Sequence, residues 1–248
     1  MDLYPYEHKV LCRENKQMTG IYCLSHKNET RRERICKMFA SQNLEPVFYD
    51  GVDASDPRIR DRGLDTNTER CWSIMYGHLD MLRIFLDSDH SHAVFCEDDI
   101  LVRKDFGNNL PNIVRDFVEM RLDVLLLGCL CSNRDFRQFS NFPKRHTVHT
   151  GPFEYYAYDS NPESAVWGTQ MYMLHRGQAK YLLDKYSRGY DGLVPFSADW
   201  TITKEGEKAL IYPLVAIEDC SVDYSDAGQD HCRKKCYGIF YSDELFSY

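Results

Sequence analysis

The run Ala93-Val94-Phe95-Cys96 is apolar at every position, stops at three carboxylates, Glu97-Asp98-Asp99, and is followed by Ile100-Leu101-Val102. Such a run is short for a helix and fits a strand covered on both faces, as in a sheet with helices on either side. Three adjacent carboxylates at the end of a buried strand repel one another, so the fold must bring them a cation or a basic group. The chain must therefore bury residues 93–96 and yet open residues 97–99 to a counter-charge.

The flanking sequence supplies the rest of such a sheet. Residues 20–24 read as a buried strand, Ser25-His26-Lys27-Asn28 as a turn and helix start, and 46–49 as a second strand. Between them, residues 29–42 form a helix that buries Ile35, Met38 and Phe39 and leaves Arg31, Arg32 and Arg34 in water. Strand, helix, strand is the unit of a parallel sheet, whose ligands sit beyond the carboxyl ends of the strands, where Asp50 and Asp53 fall. Residues 56–69 are polar and read as a loop, either a mobile segment over a site or a plain surface connection. Residues 71–87 form an amphipathic helix, with Met75, Leu79, Leu82 and Leu86 on one face.

Further strands are expected at 124–127, ending at Gly128, and at 170–174, with a helix at 178–185 and a short helix or turn at Asp199-Trp200. Pro213 divides the apolar residues 210–212 from 214–217 and marks an edge or an interruption. Residues 133–162, polar and aromatic without periodicity, are expected to hold loops on the side where a second substrate would enter. The expected architecture is α/β: one domain over residues 1–248, with a mostly parallel central sheet flanked by helices. Residues 1–18 form a polar leader, and 218–248 a C-terminal tail closing over the site.

A formal net charge of -8 argues against a nucleic-acid partner, whose backbone is held by Lys and Arg. No apolar run reaches the about 18 residues of a membrane span, and Met1-Asp2-Leu3-Tyr4-Pro5 lacks a signal-peptide pattern, so a cytoplasmic protein is expected. Cys23, Cys96 and Cys129 lie in apolar stretches, like buried thiols in a reducing compartment. Cys232 and Cys236, next to His231, lack a second pair at zinc-finger spacing and are expected to form a disulfide or two free thiols.

In an extended chain Glu97 and Asp99 point to one side and Asp98 to the other, so two carboxylates can share one ion. Magnesium or manganese suits them, with substrate phosphates and water completing the shell, which implies a diphosphate substrate. A solvated acidic turn is the plain alternative. A metal-dependent phosphohydrolase or nuclease, or a non-catalytic binding protein, would also accommodate the triplet.

The strand ending in Glu97-Asp98-Asp99, preceded by Gly77-His78-Leu79, resembles glycosyltransferase family 25, which contains lipopolysaccharide-building transferases and procollagen galactosyltransferases. Trp167-Gly168-Thr169-Gln170-Met171-Tyr172 with Arg176-Gly177-Gln178-Ala179, then Ser197-Ala198-Asp199-Trp200, and then Tyr212-Pro213-Leu214-Val215 are similar to its later blocks, in the same order. The short transferases with which large DNA viruses glycosylate their own capsid proteins are also similar in size, and a viral chain would work in the host cytoplasm. The sequence departs from the family at Gly77, where a serine is usual, and in the opening strand, which runs Cys23-Leu24-Ser25-His26 with its arginines further on.

The resemblance implies a GT-A fold and an inverting transfer of galactose, glucose or xylose from a UDP-sugar to a hydroxyl of an acceptor glycan or glycoprotein. Mn2+ or Mg2+ would be held by Asp99 and Glu97, with His231 reaching back from the tail. Asp98, Leu24, Ser25, Asp50, Asp53 and His78 would contact the donor. Asp199 would be the general base or, alternatively, a helix cap. Trp167, Trp200 and the tyrosines between Tyr155 and Tyr158 would stack on sugar rings.

Overall fold

Strand β1 (Thr19–Leu24) is buried along its whole length, and β3 (His92–Glu97) along all but its two end residues. Apolar residues on both sides of a strand require cover on both faces, and alternate side chains of β3 enter two separate apolar layers. Ala93 and Phe95 pack with the buried faces of α2 (Thr66–Asp87) and α4 (Arg176–Tyr186), while Val94 and Cys96 pack with α1 (Glu29–Ala40) and α3 (Phe106–Glu119). The computed structural model describes residues 19–131, 142–147, 151–159, 166–187, 196–221 and 227–246. The expected leader 1–18, parts of the expected acceptor-side loops at 133–162, and residues 222–226 of the tail lie outside the described residues.

The remaining strands are β2 (Pro46–Tyr49), β4 (Ile100–Val102), β5 (Val124–Cys131), β6 (Lys144–Arg145), β7 (Glu154–Tyr156), β8 (Val166–His175), β9 (Lys208–Tyr212) and β10 (Ala216–Glu218). Eight of them form one sheet in the order β2-β1-β3-β8-β5-β9-β7-β6, and β10 pairs with β4 apart from it. Strands β8 and β7 run against the other six, so the sheet is mostly parallel in direction, as expected of a central sheet flanked by helices. Aromatic rings cross its centre as a ladder, Tyr22 on Phe95 at 5.5 Å and Phe95 on Tyr172 at 5.3 Å. Each such pair adds about 1 kcal/mol beyond its buried area and helps to fix the register of β1, β3 and β8.

Several elements differ from the sequence expectation, each for a physical reason. Helix α2 begins at Thr66 rather than at Cys71, because the Asp65 carboxylate accepts from the amides of Asn67 and Thr68 at 3.0 and 3.1 Å and so caps a turn with no apolar face to betray it. The connection before α2 is tied down: Ile59 is fully buried, and Arg58 pairs with Asp56 and Asp80 at 2.9 Å while stacking over Tyr76. Helix α3, not anticipated, buries Phe106, Leu110, Ile113 and Phe117 at spacings of four, three and four despite an internal Pro111. Strand β5 runs past Gly128 to Cys131 through two register shifts. After Pro213 the chain leaves the main sheet and pairs with β4. Among the described residues no helix is long and apolar enough to cross a membrane.

Candidate active site

Strand β1 lies between β2 and β3, so the connection leaving β1 and the one arriving at β3 pass to opposite sides of it. The crevice beyond the carboxyl ends of two strands that diverge in this way is where open α/β sheets bind ligands. Leu24 and Glu97 are paired at that edge. A cavity of about 510 Å3 opens there, lined by Leu24, Val52, Ile74, Glu97 and Asp99 among others. A second, smaller cavity of about 120 Å3 adjoins it, lined by Glu97, Trp167, Thr169, Asp199 and Glu218. Glu97, Ile74 and Arg70 line both, so the two cavities meet at Glu97.

The triplet is neutralised in part by arginines. Strand β3 ends at Glu97, and Asp98 and Asp99 form a turn, so strand alternation does not govern their directions. Asp98 accepts from Ser25 Oγ at 2.7 Å and from Arg31 at 2.9 Å. Arg34 donates to the Asp98 carbonyl at 3.0 Å and pairs with Asp219, and Arg32 donates to the Ser25 carbonyl at 2.8 Å and pairs with Asp50. The polar face of α1, expected to stand in water, is thus turned onto the acidic edge of the sheet. Helical periodicity identifies the apolar face but not what the polar face will meet.

Glu97 and Asp99 keep more of their charge unbalanced. Glu97 accepts from Thr169 Oγ1 at 2.7 Å, and His78 Nε2 stands 3.5 Å away. Burial works to raise the Glu97 carboxyl, yet His78 and the Thr169 hydroxyl outweigh it and hold it below the usual value. Asp99 lies 3.9 Å from Arg31, and its other oxygen, Oδ1, is buried with no hydrogen-bond partner among the described residues. Burial, and next the charge of Glu97, push Asp99 up to about 7. Glu218 is pushed up to about 8 by burial and by Asp99, although Gln170 donates to it at 2.7 Å and Arg233 stands 2.7 Å away. Asp199 is pushed up to about 6, again by burial first and Glu97 second.

Asp99, Asp199 and Glu218 are all raised, in part by one another or by Glu97, and Asp99 Oδ1 and Glu218 Oε2 have no hydrogen-bond partner among the described residues, so Glu97 and Asp99 could serve as two of the ligands of a divalent cation. Among the described residues no group of three or more His, Cys, Asp or Glu forms a self-sufficient metal cage. The donor set therefore fits an ion that takes its remaining ligands from substrate phosphate and water. His231 is exposed on α5 (Ala227–Phe240) and is not gathered into a metal-binding group with Glu97 and Asp99. Its neighbours Cys232 and Cys236 are buried free thiols, not a disulfide.

Other expected residues fall in different places. Leu24, Asp53 and Asp98 line the larger cavity, whereas Asp50 does not line it and is exposed and paired with Arg32. Ser25 is buried and serves Asp98. His78, expected at the donor, is fully buried and lines neither cavity; its Nδ1 stands 2.9 Å from the Tyr172 hydroxyl, and it reaches the site only through Glu97. Tyr155, Tyr156 and Tyr158 are core residues rather than sugar platforms, with the Tyr155 hydroxyl bonded to Asp116 and that of Tyr158 to the Thr203 carbonyl. Trp167 and Trp200 are half-buried, with ring centres 6.3 Å apart.

Asp199 does not cap the short helical turn Ala198–Trp200; Ser197 holds the cap position and makes no side-chain cap bond. Thr169 Oγ1 lies 3.5 Å from Asp199 and 2.7 Å from Glu97, which places one hydroxyl between the two acids. Thr169, Gln170 and Glu218 were not assigned roles from the sequence, although the Trp-Gly-Thr-Gln block contains two of them.

Two glycines shape this edge. At Gly77 a Cβ would come 2.8 Å from Leu24 Cδ1, so the missing side chain lets α2 approach the cavity wall. Gly168 has φ +137, and a Cβ there would come 1.8 Å from Gln170 Oε1. Gly168→Ala is expected to lose about 1–3 kcal/mol of stability, since a side chain is strained in that backbone region and displaces Gln170 from Glu218. Urea unfolding measures this, and an unchanged midpoint would contradict it.

No protein-family model matches the chain, and no curated protein matches it either. Among solved structures, the chain is similar to a glycosyltransferase involved in the glycosylation of the major capsid of PBCV-1, with a TM-score of 0.43 and 10% identity over 92% of each chain.

Proposed function

We propose that the chain is a metal-dependent glycosyltransferase that moves a sugar, with inversion, from a UDP-sugar to a hydroxyl of an acceptor glycan or glycoprotein. The observation that carries this reading is the pair of adjoining cavities that meet at Glu97, the larger beside Asp99 and the smaller beside Asp199. A two-substrate transfer needs a donor and an acceptor held on either side of one reacting carbon. The larger cavity is assigned to the nucleotide sugar and the smaller to the terminal ring of the acceptor.

Glu97 and Asp99 would hold Mn2+ or Mg2+, which supplies positive charge against the departing diphosphate. Asp98, fixed by Ser25 and Arg31, would hold its loop at the donor side. Asp199 would take the proton of the acceptor hydroxyl as that oxygen attacks, opposite the leaving group. Thr169 holds Glu97 in place and stands beside Asp199. Trp167, which lines the smaller cavity, and Trp200, 6.3 Å from it between ring centres, would offer ring faces to the acceptor sugar.

A melting curve tests this directly. With two carboxylates alone, manganese is expected to shift the melting temperature little; UDP with manganese at one hundred times its Kd adds about 2.7 kcal/mol. For a chain of this size that corresponds to about 5–10 °C. Slow release of UDP from one of UDP-galactose, UDP-glucose or UDP-xylose should accompany it. Cleavage of simple phosphate esters without any response to UDP would favour a phosphohydrolase, and binding of a glycan without turnover a lectin-like role.

A further inference from the structure

From the placement of Arg70 on the shared wall of the two cavities, we propose that its guanidinium binds the diphosphate of the nucleotide as the sugar leaves it. This rests on the glycosyltransferase reading above and adds a catalytic residue to it. Arg70 lies in the first turns of α2, four residues before Ile74, so both fall on one face of the helix, and both line the larger and the smaller cavity. Among the described residues, the only other one lining both is Glu97, at the point where donor and acceptor would meet. Charge develops on the leaving diphosphate at this junction, and a preplaced cation is worth most there.

The charge balance of the lining requires such a group. Asp53, Glu69, Glu97, Asp98 and Asp99 face the larger cavity, a surface that repels a diphosphate. Arg31 answers part of this, but it lies 2.9 Å from Asp98 and 3.9 Å from Asp99 and is engaged by the triplet. One divalent ion between Glu97 and Asp99 offsets two charges and leaves the anionic donor still in surplus. In the smaller cavity Glu97, Asp199 and Glu218 are again acidic, and Arg70 is the basic residue lining it. Arginine also suits phosphate chemically, since its planar fork can meet two oxygens at once.

The test is calorimetric titration of UDP into the full chain at saturating manganese, for the native protein, Arg70→Ala and Arg70→Lys, with melting temperatures measured alongside. Arg70→Ala is expected to weaken UDP by about tenfold or more, the loss of a charged hydrogen bond, and Arg70→Lys to recover part of it, because the charge remains while the two-pronged contact is lost. UDP release from the donor should fall in the same order. Affinity for UDP within twofold of native in Arg70→Ala overturns the inference while leaving the function intact. So does an Arg70→Lys variant that folds but binds as poorly as Arg70→Ala, which would mean a structural role. Failure of the native chain itself to bind UDP with manganese overturns the function reading instead.

Discussion

Asp99→Asn is expected to abolish manganese-dependent binding of UDP and, in the same molecule, to make the metal-free chain more stable at pH 8. The two effects have one origin. Asp99 is half-buried beside Glu97 and Glu218, its buried Oδ1 has no hydrogen-bond partner among the described residues, and its carboxyl is raised from 3.8 to about 7. A carboxyl whose folded value is raised is easier to bury protonated, so the folded state keeps this contribution below pH 3.8 and loses it as pH climbs to about 7. Removing the charge restores the loss, a gain on the order of 4 kcal/mol at pH 8 and close to none at pH 4. The amide has the same shape but offers no anionic ligand, and activity should fall by about a thousandfold or more. Urea unfolding at both pH values, with UDP titrations beside it, checks the pair. A variant that loses binding but is less stable at pH 8 would mean that Asp99 is an ordinary structural acid and the cation is held elsewhere.

That coupling explains how much of the site was legible in the sequence. Glu97 and Asp99 stood out because three carboxylates closing a buried strand have no structural benefit of their own. β1, β2 and β3 stood out because their apolar runs fill both faces of a sheet. What remained hidden depends on segments that meet only in the folded chain. Thr169 donates to Glu97 across 72 residues, and Gln170 to Glu218 across 48, contacts that no local pattern encodes. Arg31, Arg32 and Arg34 read as a solvated helix face, since their spacing says nothing of the loop they clamp. His78 and Tyr155 read as polar or stacking residues available to ligands, yet each has a buried hydrogen-bonding neighbour that makes it part of the core. Arg70 falls between the polar stretch 56–69 and the helix expected from residue 71, and its place between two cavities follows only once Asp65 caps the helix that carries it.

Asp199→Asn is expected to separate the two substrates. Asp199 lines the smaller cavity and not the larger, so UDP with manganese should bind the variant within about twofold of native, while transfer to an acceptor falls by about a hundredfold to ten-thousandfold, the usual worth of a general base. The pH dependence gives a second readout. Burial and Glu97 raise the Asp199 carboxyl from 3.8 to about 6, and a base acts only when ionised, so native kcat/KM should fall tenfold per unit as pH drops below about 6. Occupation of Glu97 and Asp99 by a cation offsets the second of those causes, which moves the limb in the substrate-bound enzyme to lower pH than in the free one. The variant should show residual activity without that limb. Loss of UDP binding together with transfer would place Asp199 in the donor site, and an unchanged acidic limb in the variant would assign the base to another residue, for which Glu218 is the neighbouring carboxyl with a raised value.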